Sequence, residues 1–242
     1  MSYLDTIVSF AHDQLDDDDA RDYLTGRGVT DEQIDLFRIG VLRGEVPALP
    51  VLGAAPFYEW LKDGGSIDNV LVFPLTNVLG EVFGFQFRSL APGGRYREFF
   101  HGKEAEAVTF GLAQAAAGMW ETRAMWLVEG VFDCLPLARH FPATLPVLSV
   151  RITDAMIRQL RRLVTVVYIG YDMDSTGRQA ADSFRQTYGR DFDVRIVTYP
   201  RVQPFGKDRP VKDPGELWEA WGDDPLRDFV HHTVKEANGK DL

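Results

Sequence analysis

The 242-residue sequence contains a single cysteine, Cys134. One thiol excludes an internal disulfide and any zinc ribbon built on several cysteines, and it suits a reducing compartment. No apolar run is long enough to cross a bilayer. The N-terminus, Met-Ser-Tyr-Leu-Asp, has no basic stretch leading into an apolar core, so no secretory signal is read. Positive charge is also short: 26 Lys and Arg face 36 Asp and Glu, for a net charge of −10. That balance argues against a strong nonspecific duplex binder, while leaving room for a local basic groove. A Gly-x-x-x-x-Gly-Lys-Ser/Thr phosphate loop is absent. With 45% hydrophobic and 26% charged residues, the chain can bury an ordinary globular core. Its length allows one large domain or two small ones.

The most informative stretch present is 166–177, Val-Val-Tyr-Ile-Gly-Tyr-Asp172-Met-Asp174-Ser-Thr-Gly177. It opens as an apolar run rich in β-branched and aromatic residues, the pattern of a strand buried on both faces of a parallel sheet. It ends in two carboxylates and turns into a polar, helix-like segment. Open α/β sheets bind ligands beyond the carboxyl ends of their strands. Asp172 and Asp174, two apart on an extended chain, share a face and can see one cation. Hard oxygen donors favour Mg²⁺.

Two further strand ends carry acid. Residues 124–133 read as a buried strand, then Glu129-Gly130, then a helix bearing Asp133 one turn on. After a strand at 192–199 comes Lys212-Asp213-Pro214. An acid such as Glu129 at the end of an apolar strand is costly unless it has a partner or a task. The spacing from 121 onward alternates strand and helix: strands 124–129, 145–150, 164–171 and 192–199, helices 131–140, 153–163, 176–189 and 214–221. This predicts βαβ units and a mainly parallel sheet flanked by helices.

The ordered set Glu-Gly, Asp-x-Asp-x-x-Gly, Lys-Asp-Pro resembles the TOPRIM domain, the metal-binding module of DnaG-type primases, type IA and type II topoisomerases and some nucleases. A second likeness lies upstream. The string Tyr23-Leu-Thr-Gly-Arg27-Gly-Val-Thr30 through Gly40 resembles the segment that opens the RNA-polymerase domain of DnaG-type primases. Within it, Thr30 and Gln33 form a capping box for a short helix. Residues 70–88 read as a β-hairpin, with Val82, Gly84 and Gln86 on one face of its second strand and Phe83, Phe85 and Phe87 on the other. It resembles the primase hairpin that precedes a basic ridge. Phe110-Gly111-Leu112 resembles the entry to the helix, here read as 104–120, that leads into the TOPRIM domain.

The resemblance implies a smaller α+β N-terminal subdomain over 1–120, a TOPRIM Rossmann-like domain over 121–222 and a polar tail over 223–242. It implies DNA-templated RNA primer synthesis, with Glu129, Asp172 and Asp174 as catalytic residues and metal ligands and Asp213 as a further ligand. The metal would be Mg²⁺, with Mn²⁺ able to substitute, and no zinc. Arg88, Arg95, Lys103 and Arg27 match nucleotide- or template-binding positions, although Arg27 reads equally as a surface arginine near a helix end. Asp133, Glu216, Lys212 and Arg151 form a second rank. Two departures stand out. Gly215 occupies the place of the second downstream aspartate, which weakens a second metal site or shifts the ligand to Glu216. Arg151 lies where a Gly-Thr pair is usual.

The implied partners are single-stranded DNA, ribonucleoside triphosphates and, since neither a zinc nor a helicase-binding domain is read in the chain, a separate zinc-domain protein and a replicative helicase. No membrane partner is implied. The expected setting is the cytoplasm of a bacterium or phage-infected cell. A TOPRIM nuclease, or a binding module of this fold that has lost turnover, are the competing readings. A topoisomerase lacks room for its tyrosine domain, and a zinc-bearing recombination mediator lacks its cysteines. His231 and His232 have no metal-ligand partners in the pattern and read as surface residues. The aspartates 16–19 read as the exposed start of a helix, where acids complement the dipole.

Overall fold

The computed structural model describes residues 2–16, 18–43, 55–64, 69–102, 107–148, 152–200 and 211–237. The chain divides into two compact units, Met1–Ala113 and Gln114–Leu242. Each has its own sheet.

In the first unit, α1 (Tyr3–Asp13) starts at a Ser2–Asp5 capping box and buries Leu4, Ile7, Val8 and Ala11 on one face. A 3₁₀ turn and α2 (Asp18–Gly26) follow. Thr30 and Gln33 form the anticipated capping box of α3 (Asp31–Phe37). The strands are β1 (Gly40–Leu42), β2 (Val70–Thr76), β3 (Val82–Ser89), β4 (Tyr96–Phe100) and β5 (Thr109–Phe110), with α4 (Ala55–Gly64) between β1 and β2. They form an antiparallel sheet in the order β1-β2-β3-β4, with β5 also pairing with β2. A Cβ on Gly40 would lie 2.4 Å from the Ala11 carbonyl carbon, so only glycine lets α1 cross β1 this closely.

Phe57 of α4 sits at the centre of an aromatic cluster, with ring centroids 5.9 Å from Phe85, 6.4 Å from Phe87 and 5.2 Å from Phe99. It is wholly buried. Replacing Phe57 with alanine removes a large side chain from a close-packed interior, so it should destabilise the first unit by about 3–5 kcal/mol. Chemical denaturation followed by tryptophan fluorescence, with Trp60 stacked 6.1 Å from Phe57, reports that loss.

Three details of the first unit differ from the sequence expectation. Leu75 pairs with Gly84 and Thr76 with Val82, so Phe83 is the extra residue of a bulge. The bulge breaks the alternation and brings Val82 into the same cluster as Phe85 and Phe87. The basic segment after β3 continues as β4, a strand whose mixed burial gives no clean period-two signal. Within the anticipated helix 104–120, Thr109 and Phe110 instead pair with β2. Gly111, with φ of 75°, then turns the chain into α5 (Leu112–Thr122). Glycine takes that left-handed conformation freely.

In the second unit, β6 (Ala124–Val128), β7 (Thr144–Pro146), β8 (Val166–Ile169) and β9 (Asp193–Ile196) form a wholly parallel sheet in the order β7-β6-β8-β9. The crossovers carry α6 (Val131–Ala138), α7 (Asp154–Leu163) and α8 (Ser175–Tyr188); α9 (Pro214–Trp221) follows β9. The α/β class and parallel sheet are as the alternation of elements predicts. Trp126 and Tyr168, opposite each other in register, stack at 5.3 Å in the middle of the sheet. β7 is shorter than expected, because Leu148 turns with φ of 55°.

The stretch read as a polar tail folds over Asp223–Ala237 as α10. Its Leu226 and Val230 are buried, and Phe229 packs 5.4 Å from Tyr199. Its start is held by Arg139 and by His140, whose Nε2 lies 3.1 Å from Asp223 Oδ1. The apolar positions are few and widely spaced, which is why composition alone hides the helix. His231 and His232 are exposed, as read, and His232 pairs with Glu236 one turn on.

Candidate functional site

The carboxyl edge of the parallel sheet is where β6 and β8, neighbours in register, release their chains side by side. Glu129 is the first residue after β6. Its Oε1 accepts the backbone N–H of Asp172 at 3.0 Å. This bond ties the end of one strand to the turn after the other. Gly130 then starts α6, and its N–H donates to Asp133 Oδ2 at 3.1 Å.

After β8 comes Gly170, whose N–H still donates to the Leu127 carbonyl of β6 at 2.8 Å. A Cβ there would sit 2.3 Å from Trp126 Nε1 and 2.5 Å from the Tyr199 hydroxyl oxygen. Tyr199 donates to the Gly170 carbonyl at 2.7 Å and so holds the strand end that leads to Asp172. Asp172 is half-buried, and Asp174 is exposed. Asp174 caps α8, its Oδ1 accepting the Gly177 N–H at 2.8 Å. Gly177 is the tightest point of the edge. A Cβ on it would lie 2.2 Å from the Asp172 carbonyl oxygen and 2.8 Å from Glu129 Oε1.

The third acid comes from the segment before α9. The Met173 N–H donates to the Lys212 carbonyl at 2.8 Å, which holds this segment against the 172–174 turn. Lys212 Nζ reaches Asp213 Oδ2 at 2.6 Å and Asp172 Oδ2 at 3.1 Å. Asp213 is buried and caps α9 by accepting the Glu216 N–H at 2.6 Å. Glu216 is buried too, and its Oε2 accepts the Lys212 N–H at 2.9 Å. A side chain at Gly215 would start 3.0 Å from Asp133 Oδ1 and 3.0 Å from the Phe132 carbonyl oxygen.

The structure therefore brings Glu129, Asp133, Asp172, Asp174, Lys212, Asp213 and Glu216 to one edge. Among the described residues, no three acidic, histidine or cysteine side chains converge closely enough to hold an ion as they stand. Several carboxylate oxygens are turned to backbone N–H groups or to Lys212 instead. The donor set nevertheless fits a hard dication in kind, being all carboxylate oxygen. Its electrostatics fit as well. Burial pushes the Glu129 carboxyl up from its ordinary range, and the charges of Asp172 and Asp174 add to it. Burial also raises Asp172, against the pull of Lys212. Asp133 is driven well up by burial, by Asp213 and Asp172, and by the hydrogen bond it shares with Asp213. For Lys212, burial works downward, but the hydrogen bond to Asp213 and the charges of Asp213 and Asp172 carry the ammonium above its usual value.

These shifts fix a pH dependence. Carboxyls whose folded pKa lies above the unfolded value bind more protons when folded, so stability falls as pH rises through that window. In chelator-treated buffer, the melting temperature should rise as pH is lowered from neutral towards the carboxylate range. Divalent cation should raise it at neutral pH by offsetting the same repulsion. Differential scanning fluorimetry across pH, with and without Mg²⁺, measures both. A melting temperature indifferent to the cation at neutral pH contradicts this account of the edge.

Arg88, Arg95 and Arg27, named from the sequence, lie in the first unit. Arg88 of β3 is half-buried, donates to the Gly94 carbonyl and lies 4.9 Å over the Tyr96 ring. Arg95 is exposed. Arg27 is half-buried in the turn after α2, where its N–H donates to the Leu24 carbonyl at 3.0 Å. Lys103 and Arg151 fall outside the described residues. Sequence reasoning did not assign Tyr199 or Gly170 to the site. Tyr199 ends a stretch, 192–199, that reads as plain strand, and only the fold shows its hydroxyl meeting the Gly170 carbonyl two residues before Asp172.

Residues 126–211 match the Toprim-like family. A protein named DNA primase from Chlamydia muridarum is 28% identical over 237 residues, covering 90% of this chain and 39% of that protein. The chain spans only 30–40% of the length of the curated relatives it matches. Among solved structures, the RNA polymerase domain of Mycobacterium tuberculosis primase DnaG superposes with a TM-score of 0.71 at 19% identity, covering 97% of this chain and 85% of that one. A DnaG primase catalytic domain bound to single-stranded DNA gives a TM-score of 0.71 at 22% identity, over 94% of this chain and 79% of that one.

Proposed function

We propose that this DnaG-type TOPRIM core synthesises short RNA primers on single-stranded DNA, by metal-dependent nucleotidyl transfer at its carboxylate edge. The observation that carries the proposal is the bond from the Asp172 N–H to Glu129 Oε1, which joins the two strand ends bearing the first two acids. Glu129, Asp172 and Asp174 would hold a divalent cation, Mg²⁺ or Mn²⁺, with Asp213 beside them. When bound, the ion supplies charge neutralisation on the phosphates and eases deprotonation of the attacking 3′-hydroxyl.

The chain's own residues do the placing. Tyr199 and Gly170 hold the strand end that leads to Asp172. Asp174 anchors the start of α8 and keeps its second oxygen for the site. Lys212 limits repulsion between Asp172 and Asp213. In the first unit, Arg88 and Arg95, and by resemblance Lys103 and Arg27, are assigned to template or triphosphate, since guanidinium and ammonium groups bind phosphate oxygens through charge-assisted hydrogen bonds. Arg151 is assigned to the nucleotide on its placement in the sequence. The relatives' greater length supports partners that supply template reading and helicase coupling in other polypeptides or other segments. A replication role places the chain in the cytoplasm. Among the described residues, no helix is long and apolar enough to cross a membrane.

Incubation with single-stranded DNA, labelled ribonucleotides and Mg²⁺ or Mn²⁺ tests the proposal. Short labelled RNA products support it. Template cleavage without synthesis would assign the edge to a nuclease, and binding without either reaction would assign it to an inert module.

A further inference from the structure

The downstream motif of this chain differs in kind from a metal-binding edge. Gly215 offers no carboxylate, and the space its side chain would enter is taken by Asp133 Oδ1 and the Phe132 carbonyl, each 3.0 Å from a Cβ at that position. Glu216, the nearest substitute, is buried and turned back to the Lys212 N–H. Asp213 spends one oxygen on the α9 cap. Its other oxygen meets Lys212 Nζ at 2.6 Å, and the same ammonium reaches Asp172 Oδ2 at 3.1 Å. The ammonium thus stands between two carboxylates from adjacent segments, where a further cation would otherwise be drawn to offset their repulsion.

We propose that Lys212 is a built-in counter-ion in that position, so that the edge takes one divalent cation, on Glu129, Asp172 and Asp174, and not two. The inference rests on the reading of the edge as a divalent-cation site. In this assignment Lys212 is a positioning residue. Its ammonium is one charge with three donors. It holds Asp172 and Asp213 at a fixed separation and leaves the second oxygen of Asp172 for the ion.

The test is Mn²⁺ stoichiometry on the full chain at neutral pH, by isothermal titration calorimetry and electron paramagnetic resonance. Site ions are counted as those lost in Asp172→Asn, which discounts weak binding to the acidic surface. One site ion is expected in the parent chain and in Lys212→Arg. Two are expected in Lys212→Ala, with spin coupling between the two Mn²⁺ as the signature. Two site ions in the parent chain, or only one in a folded Lys212→Ala, would overturn the counter-ion role while leaving the cation site standing. If Lys212→Ala fails to fold, Lys212→Met serves the same comparison. No site ion in the parent chain at millimolar Mn²⁺ would overturn the cation reading itself, and the inference with it.

Discussion

Asp172→Asn should reduce primer synthesis by about 10²–10³-fold, the scale on which removal of one preorganised electrostatic contact slows a reaction. The side chain keeps its shape, and the Asp172 N–H still reaches Glu129 Oε1. What is lost is a negative charge that would hold the divalent cation against the reacting phosphates. The same substitution should leave the metal-free protein as stable as before, or more so. Asp172 is among the groups that raise Glu129, and its own carboxyl is raised by burial and by Asp213. Its pairing with Lys212 acts the other way but is a partly exposed contact, where ion pairs contribute little. Loss of activity with an unchanged or higher melting temperature separates a chemical role from a structural one. Primer yield and melting temperature, measured on one preparation, decide it. A destabilised Asp172→Asn protein would mean that the edge is a structural ion-pair network.

Gly177→Ala should be nearly as damaging by a different route. The added methyl would meet the Asp172 carbonyl oxygen at 2.2 Å and Glu129 Oε1 at 2.8 Å. The carbonyl belongs to the backbone and cannot swing aside, so α8 and the Asp172 turn must separate. Overpacking of this kind costs about 1–3 kcal/mol. Displacing a catalytic group by about 1 Å costs about a hundredfold in rate. The expected result is a protein with a lower melting temperature and primer synthesis reduced by about a hundredfold, while single-stranded DNA binding, assigned to the first unit, is retained. Fluorescence anisotropy of a labelled oligonucleotide checks the last point. Full activity in Gly177→Ala would show that the contact between α8 and Glu129 is not needed in the working site.

The parallel sheet was legible because its strands are apolar runs separated by helix-length spacers, a pattern that buried β6 and β8 reproduce closely. Glu129 and Asp172 were legible because each stands just beyond such a run, and Asp213 because Lys-Asp-Pro follows the last strand in the ordered set. The sequence could not show how their oxygens are spent. Asp174 and Asp213 read as ligands, yet each also caps a helix. Glu216 read as a spare ligand, yet a backbone N–H holds it. These are contacts with residues a few positions away, which strand and helix periodicity does not encode. Tyr199 depends on a long-range contact, its hydroxyl meeting Gly170 across neighbouring strands. In the first unit, the Phe83 bulge reversed the expected facing of Val82, because one inserted residue shifts a period-two pattern. α10 was hidden by its composition: two buried aliphatic residues and one packed Phe229 anchor a helix that is otherwise largely polar and charged.

The central claim is that nucleotidyl transfer occurs at the edge held by Glu129 and Asp172. It is tested most directly by extension of a short RNA already annealed to a DNA template, which removes any need for partners that assist initiation. With Mg²⁺ or Mn²⁺ and one labelled ribonucleotide, the account predicts addition of the nucleotide complementary to the template. It also predicts loss of that addition on chelation and in Asp172→Asn. Extension that survives in Asp172→Asn, or no extension by the parent chain on any annealed template, would contradict it.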